Sequence, residues 1–124
     1  MKYVIIGASA AGLAAAQQIR VTDSDGEITV LTREAYLPYS RPSISYLLKG
    51  TVEEKKMFLK KPQYYSENNI NIVTSAEVTK IDREKKVVKA GRKEYPYDKL
   101  CIAAGSKPFV PPVENADGLS LIHI

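Results

Sequence analysis

The chain has 124 residues, 44% of them hydrophobic and 26% charged, and 18 basic against 14 acidic side chains leave a formal charge of +4. That length suits one domain with one sizeable core and leaves no room in these residues for a complete multidomain redox enzyme. The basic excess is gathered in Lys55-Lys56, Lys60-Lys61, Lys85-Lys86 and the stretch from Lys89 to Lys93; it reads as solvated turns or a face for an acidic protein, and is too weak for a nucleic-acid reader.

In chain order, the first element is a short apolar strand ending at Ile6, followed by Gly7-Ala8-Ser9-Ala10-Ala11-Gly12 and an alanine-rich helix. Such an opening is the glycine turn of a dinucleotide site. Gly7 makes the tight turn, Ser9 marks the close approach to a pyrophosphate, and Gly12 lets the helix pack on its strand while its free N–H groups face the anion. Ser9 stands where the Gly-x-Gly-x-x-Gly pattern has its middle glycine, which weakens the motif. Lys2, the apolar stretch and Ala14 to Ala16 also imitate a secretory leader. The glycine spacing, with a strand about twenty residues later, explains those letters better. A cytoplasmic location is expected, and no apolar run reaches membrane-spanning length.

Gly12, Ala15, Ala16 and Ile19 form a helical face of small residues suited to a sheet, and Asp23 to Gly26 turn the chain. Glu27 to Leu31 is β-branched and reads as the second parallel strand of a right-handed βαβ unit. Pro38 and Pro42 impose extended or turn backbone before a short helix from Ser43 to Lys49 that stops at Gly50; Pro62 opens another through Asn68. Ile70 to Val73 is a third parallel strand, Glu77 to Ile81, Lys85 to Lys89 and Glu94 to Tyr97 form an antiparallel meander, and Leu100 to Ala103 returns to the parallel sheet. The expected fold is α/β, a Rossmann-like parallel sheet with a small antiparallel β-meander. Cys101 is the single cysteine, so no thiol pair exists in the chain, and its apolar neighbours mark it as a small buried hydrophobe.

Three further stretches make the motif specific: Tyr36-Leu37-Pro38-Tyr39-Ser40-Arg41-Pro42, Val78-Thr79-Lys80-Ile81-Asp82, and Tyr97 through Ala103-Ala104-Gly105-Ser106 to Pro108. In this order and spacing the chain resembles the first FAD segment of the pyridine nucleotide-disulfide oxidoreductase superfamily, in its rubredoxin reductase, ferredoxin reductase and NADH-nitrite reductase branch. The resemblance covers residues 2 to about 116 and identifies residues 1–118 as the first part of an FAD-binding domain.

The resemblance implies that Gly7, Ala8, Ser9, Ala10, Ala11 and Gly12 hold the FAD pyrophosphate, and that Val78 meets the adenine. It sets Arg41 and Pro42 beside the isoalloxazine, and Ala103, Ala104, Gly105 and Ser106 over the cofactor. Taken singly, Val78 reads as strand core and Arg41 as a surface charge. The family's acidic ribose ligand has Thr32 in its place, with Glu34 two residues later as a substitute if the strand end is extended. The lysine often found near the flavin is Tyr46, and the position of the family's reactive thiol is Ser40-Arg41. The implied activity passes electrons from NAD(P)H through FAD to an external acceptor such as an iron-sulfur protein or a further domain. The nicotinamide is a co-substrate, and neither nucleic acid nor membrane is a partner. A non-catalytic Rossmann nucleotide-binding module is the alternative. An NAD enzyme without flavin leaves Tyr36 to Pro42 unexplained. Residues 119–124 match, codon by codon, a transposase-end adaptor used in sequencing libraries, and are expected to be a non-native tail.

Overall fold

The computed structural model describes residues 1–114. In chain order it forms β1 (Lys2–Ile6), α1 (Ala10–Thr22), β2 (Glu27–Leu31), a 3-10 turn (Arg41–Ser43) running into α2 (Ile44–Leu48), and a second 3-10 turn (Glu54–Lys56). There follow α3 (Pro62–Glu67), β3 (Ile70–Val73), β4 (Val78–Asp82), β5 (Val87–Ala90), β6 (Lys93–Pro96) and β7 (Lys99–Ile102). Four strands form a parallel sheet in the order β3-β2-β1-β7; β4, β5 and β6 form a separate antiparallel sheet. The expected α/β architecture with its meander is the observed one, with boundaries moved by a residue or two.

Both faces of the parallel sheet are covered, which is why β1 and β2 read as continuous apolar runs rather than alternating ones. Ile5, Ile28 and Val30 face one way and pack with Leu13 and Ala16 of α1 and Tyr65 of α3. Val4 and Leu31 face the other way, against Val88 and Ala90 of the meander. Ile5, Ile28, Val30, Leu31 and Val88 are fully enclosed, each contributing about 1.5–3 kcal/mol of apolar burial. The helix buries Gly12 and Ala16 as anticipated, while Ala15 and Ile19 pack only partly and Leu13 supplies the bulk. Cys101 is half-buried against this core rather than fully buried, because β7 lies at the end of the sheet order.

One polar clamp ties the helical layer to the loops. Arg20 donates from Nε to Asn68 O (2.7 Å), from Nη1 to Asp23 O and Ser24 O (3.0 and 2.6 Å), and from Nη2 to Gly26 O and Asn69 O (2.8 and 3.0 Å). Nearby, the Tyr3 hydroxyl donates to Asp23 Oδ2 at 2.9 Å. That bond holds the Asp23 carboxyl below its usual range and pushes the Tyr3 phenol up.

Candidate functional site

The strand order reverses at β1: β2 and β3 lie on one side and β7 on the other, all parallel. In an open parallel sheet that point, beyond the carboxyl ends of the strands, is where a crevice forms. A cavity of about 340 Å3 lies there, lined by Ile6 and Leu31 at two strand ends and by the chain leaving β7 from Ala103 to Lys107.

Its floor is the glycine turn. Gly7 has φ +105°, a left-handed conformation open to glycine, and its N–H donates to Leu31 O at 2.8 Å. A Cβ on Gly7 would overlap the Ala103 carbonyl, and one on Gly12 would overlap the Gly7 carbonyl. Both glycines are therefore demanded by backbone-on-backbone packing. The first hydrogen bond of α1 runs from Leu13 N–H to Ser9 O at 3.0 Å. The N–H groups of Ala10, Ala11 and Gly12 precede that ladder, and Ser9 makes no side-chain cap to them. Positive potential thus accumulates at the turn.

Thr32 and Glu34 sit just past the end of β2. Thr32 is buried, and its Oγ1 accepts the Glu34 N–H at 3.2 Å. β2 ends at Leu31 and the chain bends from residue 33 to 36, held by Ala76 N–H on Thr32 O (2.8 Å) and Ser75 N–H on Glu34 O (2.9 Å). The extended strand end expected to bring Glu34 into the place of an acid at position 32 is therefore not formed; Glu34 lines the cavity from the bend instead. Across the cavity Arg41 reaches back over 32 positions of sequence: its Nε donates to Ser9 Oγ at 2.9 Å and its Nη2 to Glu34 Oε1 at 2.8 Å. The guanidinium also lies over the Tyr39 ring, 5.5 Å from its centroid.

Of the residues singled out in the sequence, Gly7, Ala8, Ser9, Thr32, Glu34, Arg41, Val78, Ala103, Ala104, Gly105 and Ser106 line this one cavity. Ala10, Ala11 and Gly12 are not on its wall; they are the first residues of α1. Pro42 is exposed in its 3-10 turn and is not on the wall. Val78 reaches the wall beside a register shift between Val78 and Lys80, the kind of bulge that re-aims a side chain. Arg33, Ala76, Glu77 and Lys107 also line it. In the sequence Glu77 reads as the start of a strand and Lys107 as part of the Tyr97 to Pro108 stretch, but none of the four stands out as a site residue. Arg33, Arg41 and Lys107 face Glu34 and Glu77 there, so together with the helix terminus the wall suits a phosphate-bearing ligand. Among the described residues no cluster of metal ligands is found and no helix is long and apolar enough to cross a membrane.

The FAD implied by the resemblance can be tested against this geometry. The cradle that a Cβ would fill at Gly7 and Gly12, the uncapped helix terminus and the acidic residue in the bend after β2 all fit a dinucleotide. Comparisons with known proteins agree. A family model described as pyridine nucleotide-disulphide oxidoreductase matches residues 1–123. An NADH-rubredoxin oxidoreductase from Clostridium acetobutylicum is 37% identical over 98% of this chain and 32% of its own length. An NADH oxidase from Methanocaldococcus jannaschii is 36% identical over 94% of this chain and 28% of its own. The solved putidaredoxin reductase-putidaredoxin complex superposes with a TM-score of 0.84 at 28% identity, over 92% of this chain and 28% of that one. The chain thus spans about a third or less of the length of these relatives.

Proposed function

We propose, from a chain that belongs to the pyridine nucleotide-disulphide oxidoreductase family, that it is the FAD-binding part of a cytoplasmic NAD(P)H-dependent flavoprotein oxidoreductase. Residues 1–118 are the first part of its FAD domain, and the nicotinamide site lies in the remainder of the full-length protein. The observation that carries the reading is the backbone-on-backbone contact at Gly7 and Gly12, which brings the start of α1 to the mouth of a cavity at the strand ends.

When bound, FAD supplies the redox chemistry, taking a hydride from the nicotinamide and passing electrons on. This chain's residues bind and orient. The N–H groups of Ala10, Ala11 and Gly12 would hold the pyrophosphate, Glu34 would accept hydrogen bonds from the ribose hydroxyls, and Val78 would pack against the adenine. Ala103 to Ser106 close over the ligand as the chain leaves β7. Arg41, bonded to Ser9 and Glu34, works at the pyrophosphate and ribose end of the cavity, which supports a phosphate role over one at the isoalloxazine. Within these residues the single cysteine is half-buried on β7 and Ser40-Arg41 stands at the family's thiol position, which supports an external electron acceptor. Relatives whose names include rubredoxin support an iron-sulfur protein in that place.

The test is to purify the full-length protein, record its visible flavin absorption and add NADH without oxygen. Retained flavin that bleaches with NADH is the expected result. A colourless protein that takes up no added FAD overturns the reading.

A further inference from the structure

We infer that Ser9, at the position where the dinucleotide pattern has its middle glycine, is a positioning residue that locks the Arg41 guanidinium for the phosphate of the bound dinucleotide. The inference rests on the proposed FAD reading and adds to it a role for the residue that breaks the motif.

The pattern has glycine at this position so that backbone can come close to the pyrophosphate, and a side chain there takes up that space. In this chain the side chain is used. Ser9 Oγ accepts the Arg41 Nε–H at 2.9 Å, and Glu34 Oε1 accepts one Nη2 proton at 2.8 Å. Two fixed points on a planar group set its orientation, and an arginine has five N–H donors. Both Nη1 protons and the second Nη2 proton therefore meet no acceptor among the described residues, on a side chain that lines the cavity. A planar fork held this way is suited to two phosphate oxygens. Because Ser9 accepts from Arg41, its own hydroxyl proton also remains free to donate. Without Ser9, Glu34 alone ties the guanidinium, and a half-exposed arginine swings about a single salt bridge.

The experiment is a double-mutant cycle in the full-length protein, with FAD affinity read from quenching of flavin fluorescence. Ser9→Ala is expected to weaken binding about fivefold, a modest value for a partly exposed charge-assisted bond. Ser9→Gly, which restores the pattern's residue, is expected to do the same and serves if the alanine variant folds poorly. In an Arg41→Ala background either change is expected to cost less than about twofold, because the group that Ser9 acts through is gone. A second readout needs no ligand: the Arg41 Nε–H resonance is expected to exchange slowly in the wild type and rapidly in Ser9→Ala. An unchanged affinity in both Ser9 variants, or a loss that persists in full without Arg41, overturns the inference while leaving the FAD reading intact. Failure of the wild type to take up FAD removes both.

Discussion

Replacing Gly12 with valine puts a branched side chain where even one carbon overlaps the Gly7 carbonyl. The obstacle is backbone, so no side-chain rotation relieves it. Restoring a C···O separation of about 3.3 Å requires α1 to draw back from β1 by roughly an ångström. Two losses follow. The helix pulls Leu13 and Ala16 away from Ile5 and Ile28, an overpacking cost of about 1–3 kcal/mol. The N–H groups of Ala10, Ala11 and Gly12 move off the phosphate, and each charge-assisted bond is worth about 1.5–3 kcal/mol. Losing the equivalent of one such bond, about 2.7 kcal/mol, weakens binding about a hundredfold. Gly12→Val in the full-length protein is therefore expected to emerge without flavin, to bind added FAD about a hundredfold more weakly by fluorescence titration, and to melt several degrees lower. Full retention of FAD at wild-type affinity refutes the assignment of the glycine turn to the pyrophosphate.

Arg20→Ala removes five donated bonds that join the end of α1 to the loops before β2 and β3; about 2–4 kcal/mol of stability is expected to be lost, seen as a lower melting temperature and denaturant midpoint. Tyr3→Phe deletes the bond that holds the Asp23 carboxyl low, so the Asp23 pKa measured by NMR is expected to rise toward 3.8. A carboxyl whose folded pKa is depressed adds stability above its unfolded value, and that stability is lost as pH falls through the folded one. The wild type should accordingly lose this increment below about pH 4, and Tyr3→Phe should lack that part of the acid dependence. Residues 119–124 lie outside the described residues; as an expected non-native tail, their deletion should leave the melting temperature within error, and a fall of several degrees would mark them as packed structure.

What the sequence determined by itself was everything encoded within a few residues. The β-branched run Glu27–Leu31 is the observed β2 to the residue, because a doubly covered strand has an unmistakable local composition. Ile70–Val73 is likewise β3, and Gly50, with φ +79°, ends the helical turn of α2 as a glycine should. The glycine turn was legible because its spacing follows from a steric demand along one short segment. Thr32 stands where the resemblance expects an acid, and only the course of the chain past β2, tied to Ser75 and Ala76, puts Glu34 on the cavity wall. Glu77 reaches that wall from just before β4 and Lys107 from the chain after β7, and no local signal marks a residue whose neighbour is so distant in sequence. Ser9 likewise looked like a defect in a motif, since its partner Arg41 meets it only after the loop beyond β2 folds back over the turn. Local sterics and hydrophobic period act over a few residues and so can be read in the letters; contacts between distant segments depend on the path of the whole backbone, and only the tertiary structure decides them.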